Sequence, residues 1–251
     1  MSKVLVDING PVRTVTLNRP EKRNALDTET LDGLSAAFPD EPGPDERVAV
    51  IRANGPSFCS GMDLSQRAAG LGKPGAIEVM LRRVEVYPLP VVAVVHGPAI
   101  AGGNELAMHC DFVVASSTAV FGMSLAQIGL APTWFRAKKL MEVAGPVAMR
   151  EILLLGDPLP ATRMHELGII ARVAEPDDLQ DEAQKIVDRL AANAPLSLRN
   201  MKAMMVRQMA FRDATNYDDL NADVAKVAAS ADAKEGVRAK LDRRQPDFRG
   251  E

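Results

Sequence analysis

Apolar and polar residues alternate over positions 4–8 and again over 12–17, on either side of Asn9-Gly10-Pro11. This predicts a β-hairpin turning at the Asn-Gly pair. Helical spacing follows, with Leu31 and Leu34 on one face of a helix over 28–38 that Asp27 can cap. Residues 39–47, PDEPGPDER, form a proline-rich loop. The runs at 48–52 and 91–95 are short, apolar and rich in β-branched side chains, the pattern of parallel strands covered on both faces. Between them lie a glycine-bearing loop at 66–75 and a helix over 77–87, stopped by Pro88 and Pro90.

A helix opening at Gly102-Gly103 and a strand at 112–115 continue this alternation, which argues for an α/β fold with parallel pairing. Beyond Pro132 the periodicity is helical, over 136–144, 146–155, 161–167, 178–194, 197–209, 217–229 and 233–243. One short strand at 169–173 interrupts it. The chain is therefore divided into an α/β core over 1–194 and a C-terminal helical region over 195–251. The apolar faces of the last helices exceed what a small appendage can bury, so they are expected to pack on another subunit.

Composition changes this picture little. The 251 residues, 47% hydrophobic and 25% charged with net charge −3, suit an ordinary soluble domain. Nothing points to a nucleic-acid or membrane partner. The N-terminus lacks a cationic start followed by an apolar core, and no apolar run is long enough to span a bilayer, so the expected location is cytoplasmic. Cys59 and Cys110 have no metal-binding spacing and are expected to be small buried side chains, with no metal site.

Chemistry concentrates at 101–111, AGGNELAMHCD. A glycine pair opening a helix leaves backbone N–H groups free at the positive end of the helix dipole, where they can hold an anionic oxygen. Glu105, one turn inside, is placed to move a proton nearby. Read alone, the segment is equally a tight strand-to-helix crossing with a solvated glutamate. A second glycine-bearing segment, Phe58-Cys-Ser-Gly-Met-Asp-Leu64, follows the strand at 48–52, and one N–H from each segment can converge on a single oxygen.

Five segments in order resemble the crotonase superfamily, the enoyl-CoA hydratase/isomerase family. They are KRNAL at 22–26, Phe58–Leu64, Gly102–Asp111, the run at 161–173 and RRQPDF at 243–248. The resemblance covers nearly the whole chain. It implies a crotonase-like spiral of repeated ββα units whose C-terminal helices build a homotrimer or a dimer of trimers. The implied substrate is an acyl-CoA thioester, with coenzyme A as part of the substrate and no separate cofactor.

By the same resemblance, the N–H groups of Met62 and Gly102 hold the thioester oxygen, and coenzyme A lies along Arg23, Ala25, Leu26, Ser60, Asp63 and Leu64. Lys22, Arg23 and Arg243 are placed by it near phosphates. As residues alone, these three are equally solvated charges and Asp63 a turn or cap residue.

The family's hydratases carry a second glutamate after the G-G-x-E segment, and here Leu125 occupies its place. Hydration divides water activation and carbon protonation between two carboxylates. Glu105 alone can still take a proton from one carbon and return it to another, so isomerisation of an unsaturated acyl-CoA is expected over hydration. Two other readings stay open: a non-catalytic acyl-CoA binding protein, and a thioester decarboxylase or hydrolase on the same scaffold. Trp134 is either a wall of the acyl pocket or core, and His109, four residues after Glu105, is placed to orient it. His96 is expected to be structural, and the apolar residues of the helix over 77–87 to line the pocket.

Overall fold

The hairpin expected at the N-terminus heads the main sheet of the computed structural model, which describes residues 2–69, 71 and 73–250. Strands β1 (Val4–Asn9) and β2 (Val12–Leu17) pair antiparallel. From β2 the sheet continues in parallel through β3 (Val48–Ala53), β4 (Val91–Val95), β6 (Phe112–Ser116) and β9 (Arg172–Ala174). Between β4 and β6 lies β5 (Ala99–Ile100), which joins β7 (Val120–Gly122) and β8 (Leu159–Pro160) in a second, three-stranded sheet. The fold is the expected mixed α/β type.

Period-2 alternation explains why the central strands read as continuous apolar runs. Val48, Val50, Val92, Val94 and Val114 face helix α7 (Leu179–Ala192), while Ala49, Ile51, Val91, Ala93 and Val95 face the larger core. That core is closed by α1 (Thr28–Ala37), α3 (Ala76–Val86) and α4 (Gly102–Met108). Each fully buried Val, Leu or Ile side chain contributes about 1.5–3 kcal/mol by leaving water. Asp27 caps α1 as expected, its Oδ1 accepting from Thr30 N–H at 2.9 Å.

The helical region follows the sequence closely. α5 (Trp134–Arg150) is broken at Gly145, whose φ of 67° and following Pro146 divide it into the two pieces expected. After α6 (Ala161–Glu166) come α8 (Pro195–Met209), α9 (Asp218–Ala229) and α10 (Ala231–Asp242). No helix among the described residues is long and apolar enough to cross a membrane. Buried Lys202 docks α8, donating to Leu89 O at 3.0 Å and to Asp111 Oδ2 at 2.7 Å.

Two expectations are corrected, and one element is new. The strand expected at 169–173 begins only at Arg172, because Ile169 N–H returns to Met164 O at 3.0 Å past left-handed Gly168, closing α6 instead. The first residues of the loop expected over 66–75 belong instead to a short helix, α2 (Leu64–Ala68), which Asp63 starts by accepting from Ser65 N–H at 3.0 Å; Gly70 and Gly72 of that loop lie outside the described residues. The second sheet was not expected, its strands being only two or three residues long.

Candidate active site

Two backbone segments meet at the C-terminal end of the parallel strands. Residues Phe58–Leu64 run beside residues 98–103: Cys59 N–H donates to Pro98 O at 3.1 Å and Ile100 N–H to Cys59 O at 2.9 Å. The contact is close enough to require glycine at Gly103, where a Cβ would stand 2.2 Å from Cys59 O. A Cβ on Gly61, which has φ of +87°, would meet Gly102 N at 3.1 Å.

The loop from Lys22 to Leu26 braces this junction. Arg23 and Asn24 both adopt left-handed φ values, 51° and 55°. The buried Asn24 amide donates to Asn54 O at 2.8 Å and Ser57 O at 2.9 Å. Leu26 N–H then donates to Gly61 O at 2.8 Å and Asp63 N–H to Leu26 O at 3.0 Å. These two bonds flank Met62 and leave its own N–H outside the ladder.

Ala101 holds φ at 47° and ψ at −113°, a sparsely populated conformation for alanine that costs on the order of 1–3 kcal/mol. Its N–H donates to Gly122 O at 2.7 Å, which fixes the turn into α4. Gly102 N–H is thereby one of the helix's free first-turn donors, beside the Gly61 backbone. A fixed N–H of this kind can hold an oxyanion without reorganising.

Glu105 is 1% exposed, one turn into α4. Arg136, at the start of α5, donates through Nη1 to Glu105 Oε2 at 3.4 Å, and Glu105 Oε1 is buried with no hydrogen-bond partner among the described residues. The same guanidinium meets Glu78 Oε1 of α3 through Nε at 3.2 Å. Burial pushes the Glu105 carboxyl above its ordinary range; Arg136 opposes this and Glu78 adds to it. A buried carboxyl with one free oxygen and a raised proton affinity is suited to acid/base work.

A cavity of about 390 Å³ opens against this junction. Met62, Gly102, Leu125 and Arg136 line it together with Asn221, Val224 and Ala228 of α9. Arg136 and Lys240 are the charged residues in its wall, and both are cations. Glu105 is not in that wall; its buried carboxyl is held by Arg136, which is.

The family model for enoyl-CoA hydratase/isomerase matches residues 7–251. The chain belongs to the enoyl-CoA hydratase/isomerase family. It is 31% identical over 252 residues to the enoyl-CoA isomerase/hydratase of Mycosarcoma maydis, covering 94% of this chain and 92% of that one. It is 31% identical over 255 residues to the carnitinyl-CoA dehydratase of Salmonella paratyphi A, covering 96% of each. Among solved structures, a methylmalonyl-CoA decarboxylase superposes with a TM-score of 0.91 at 26% identity, over 99% of this chain and 98% of that one.

Of the residues the family resemblance singled out, Met62, Gly102, Ser60 and Leu64 line the cavity. Ala25, Leu26 and Asp63 are buried beneath it, Asp63 pairing with Arg19 Nη1 at 2.8 Å. Lys22, Arg23 and Arg243 are exposed, and Lys240, one turn before Arg243, lines the cavity. Of the helix over 77–87, Ile77 approaches Gly102, but Met80, Leu81 and Val84 belong to the core.

His109 does not touch the Glu105 carboxyl. Its Nδ1–H donates to the Glu105 backbone oxygen at 2.7 Å, and its ring stacks on Phe135 at 5.3 Å. Trp134 lies outside the cavity wall, stacked on Tyr217 at 5.4 Å. His96 bonds to Gly55 O at 2.8 Å, away from the cavity. Arg136 and Glu78 escaped sequence reasoning. The one signal for Arg136 is a cation straight after an apolar stretch, and nothing in a linear reading joins it to Glu78.

Proposed function

We propose that this family member moves a double bond in an unsaturated acyl-CoA, with Glu105 as its single acid/base. The thioester oxygen accepts from Met62 N–H and Gly102 N–H, which acidifies the carbon next to the thioester carbonyl. Glu105 Oε1 takes a proton from C2 of a 3-enoyl-CoA, charge spreads into a dienolate, and Glu105 returns a proton at C4 to give the 2-enoyl-CoA. One carboxyl suffices for this cycle, and it ends in its starting state. Each N–H donor contributes about 3–4 kcal/mol to lowering the barrier.

The observation that carries this reading is the asymmetric environment of Glu105: one oxygen held, one buried and free, one turn into the helix that Gly102 opens, with apolar Leu125 in the cavity wall. Leu125 supplies no second base, which argues against hydration. Substrate meets Oε1 by adjustment of the wall at Arg136; ligand-free catalytic geometries commonly tighten only in the complex.

Assays of 3-enoyl-CoA isomerisation and 2-enoyl-CoA hydration over several chain lengths test the reading. Isomerisation should exceed hydration, and Glu105→Gln should abolish it while acyl-CoA binding stays measurable by calorimetry. Hydration as fast as isomerisation would overturn it, and binding without turnover on any thioester would make the chain a carrier.

Arg136 favours a second reading, decarboxylation. A cation in the cavity wall can meet a carboxylate on the acyl group, and Glu105, its proton affinity raised by burial, can protonate the enolate left by departing CO₂. Release of CO₂ from methylmalonyl-CoA or malonyl-CoA faster than any isomerisation would select it.

The exposed apolar residues Leu196, Met201, Met204 and Met205 of α8 support an oligomer through the C-terminal helices. Sedimentation showing only monomer at micromolar concentration would exclude this.

A further inference from the structure

Glu105 is held from one side through a relay that spans three helices. Arg136 Nη1 of α5 donates to Oε2 at 3.4 Å, and Nε of the same guanidinium faces Glu78 Oε1 of α3 at 3.2 Å. Thr133 Oγ1 donates to that Glu78 oxygen at 3.0 Å, so Glu78 is fixed in turn. A guanidinium is a rigid planar fork; Nη1 donates to Glu105, while Nε donates to Thr133 Oγ1 at 3.4 Å and is ion-paired with Glu78, and these contacts together set its plane.

We infer that Glu78 and Arg136 are a positioning pair for Glu105: Arg136 anchors Oε2 and leaves Oε1 as the oxygen that exchanges protons, while Glu78 fixes the guanidinium that does the anchoring. The acyl-CoA reading above supplies the partner of that exchange. The arrangement of the pair stands on the geometry alone.

Two opposed charges face the same carboxyl. The groups around Glu105 are the Arg136 cation from α5, the Glu78 anion from α3, the buried Cys59 thiol and, on α4 itself, His109, which bonds to the Glu105 backbone. Removing the cation removes an attraction for the ionised form, so Glu105 keeps its proton to higher pH. Removing the anion removes a repulsion, so Glu105 releases its proton at lower pH. A contact that merely shapes the wall predicts otherwise: loosening it with either variant admits water and moves the carboxyl downward in both.

Infrared difference titration of the ligand-free enzyme, with the Glu105→Gln spectrum subtracted, reads the Glu105 carboxyl directly. Deuterium uptake from D₂O into C2 of butyryl-CoA reads its chemistry: Oε1 takes the C2 proton, exchanges it with solvent and returns a deuteron, leaving the thioester intact.

Glu78→Gln, which keeps an acceptor for Arg136, should lower the Glu105 pKa, and Arg136→Gln should raise it. Exchange in Arg136→Gln should fall at least tenfold. Arg136→Lys should bring the pKa back toward wild type without restoring exchange, because one ammonium lacks the two-point fork. Shifts of the same sign, or none in variants whose circular dichroism is unchanged, would overturn the inference. Opposite shifts without exchange even in the wild type would uphold the pair and remove the acyl-CoA reading.

Discussion

Gly103→Ala sets two effects of known size against each other. Gly103 lies within α4, where alanine is favoured over glycine by about 1 kcal/mol. The added Cβ, however, would stand 2.2 Å from Cys59 O and 2.7 Å from Cys59 Cβ. The nearest comfortable carbon-to-oxygen approach is about 3.3 Å, so the segments must part by about 1 Å. The obstructing atom belongs to the backbone and cannot swing aside.

Overpacking of this kind costs about 1–3 kcal/mol, and here its upper end applies, leaving a net loss of about 2 kcal/mol after the helix gain. For a chain of this size, that lowers Tm by roughly 4–8 °C. The same parting separates the Met62 and Gly102 N–H groups, and a displacement of about 1 Å costs roughly a hundredfold in rate. Gly168→Ala is the control, since it meets nothing within 4 Å and carries only the strain of φ +74°, far from the cavity. Calorimetric Tm and the rate on the acyl-CoA substrate proposed above should both fall in Gly103→Ala, and Tm alone in Gly168→Ala. Wild-type Tm and kcat in Gly103→Ala would refute the reasoning.

Leu125→Glu places a carboxylate in the cavity wall at a position 8% exposed. Conversion of crotonyl-CoA to its 3-hydroxy product should rise at least tenfold, since two carboxylates can then divide the work; chromatography reads the product, and a folded variant with no gain counts against the role given to Leu125. His109 is held down to about 4, against an ordinary 6.5, mainly by burial. Its folded pKa is lowered, so the unfolded chain binds the extra proton between those values. The stability His109 contributes is whole above about pH 6.5 and declines as pH falls toward about 4. Urea unfolding from pH 7 to 5 should show a shallower decline in His109→Phe than in wild type, and equal slopes would contradict it.

Much of the fold is legible because its signals are local. The β1 to β2 hairpin follows from alternation around Asn9-Gly10, the α1 start from Asp27, and the α5 break from Gly145-Pro146. The two segments that meet at Gly61 and Gly103 are legible because glycine is required there by contact. The second sheet is not, because strands of two or three residues carry no periodicity. The relay from Glu78 through Arg136 to Glu105 is not, because its members come from three helices joined only by packing. His109 illustrates the limit of spacing: i to i+4 placed it beside Glu105 correctly, but the bond goes to the backbone oxygen.

The central claim is that Glu105 moves a proton at the carbon beside a thioester whose oxygen is held by Met62 and Gly102. Deuterium exchange at C2 of butyryl-CoA in D₂O, followed by mass spectrometry, measures this step without requiring the physiological substrate. The account predicts exchange in the wild type and none above background in Glu105→Gln, with binding of butyryl-CoA retained by calorimetry. Equal exchange in both would contradict it.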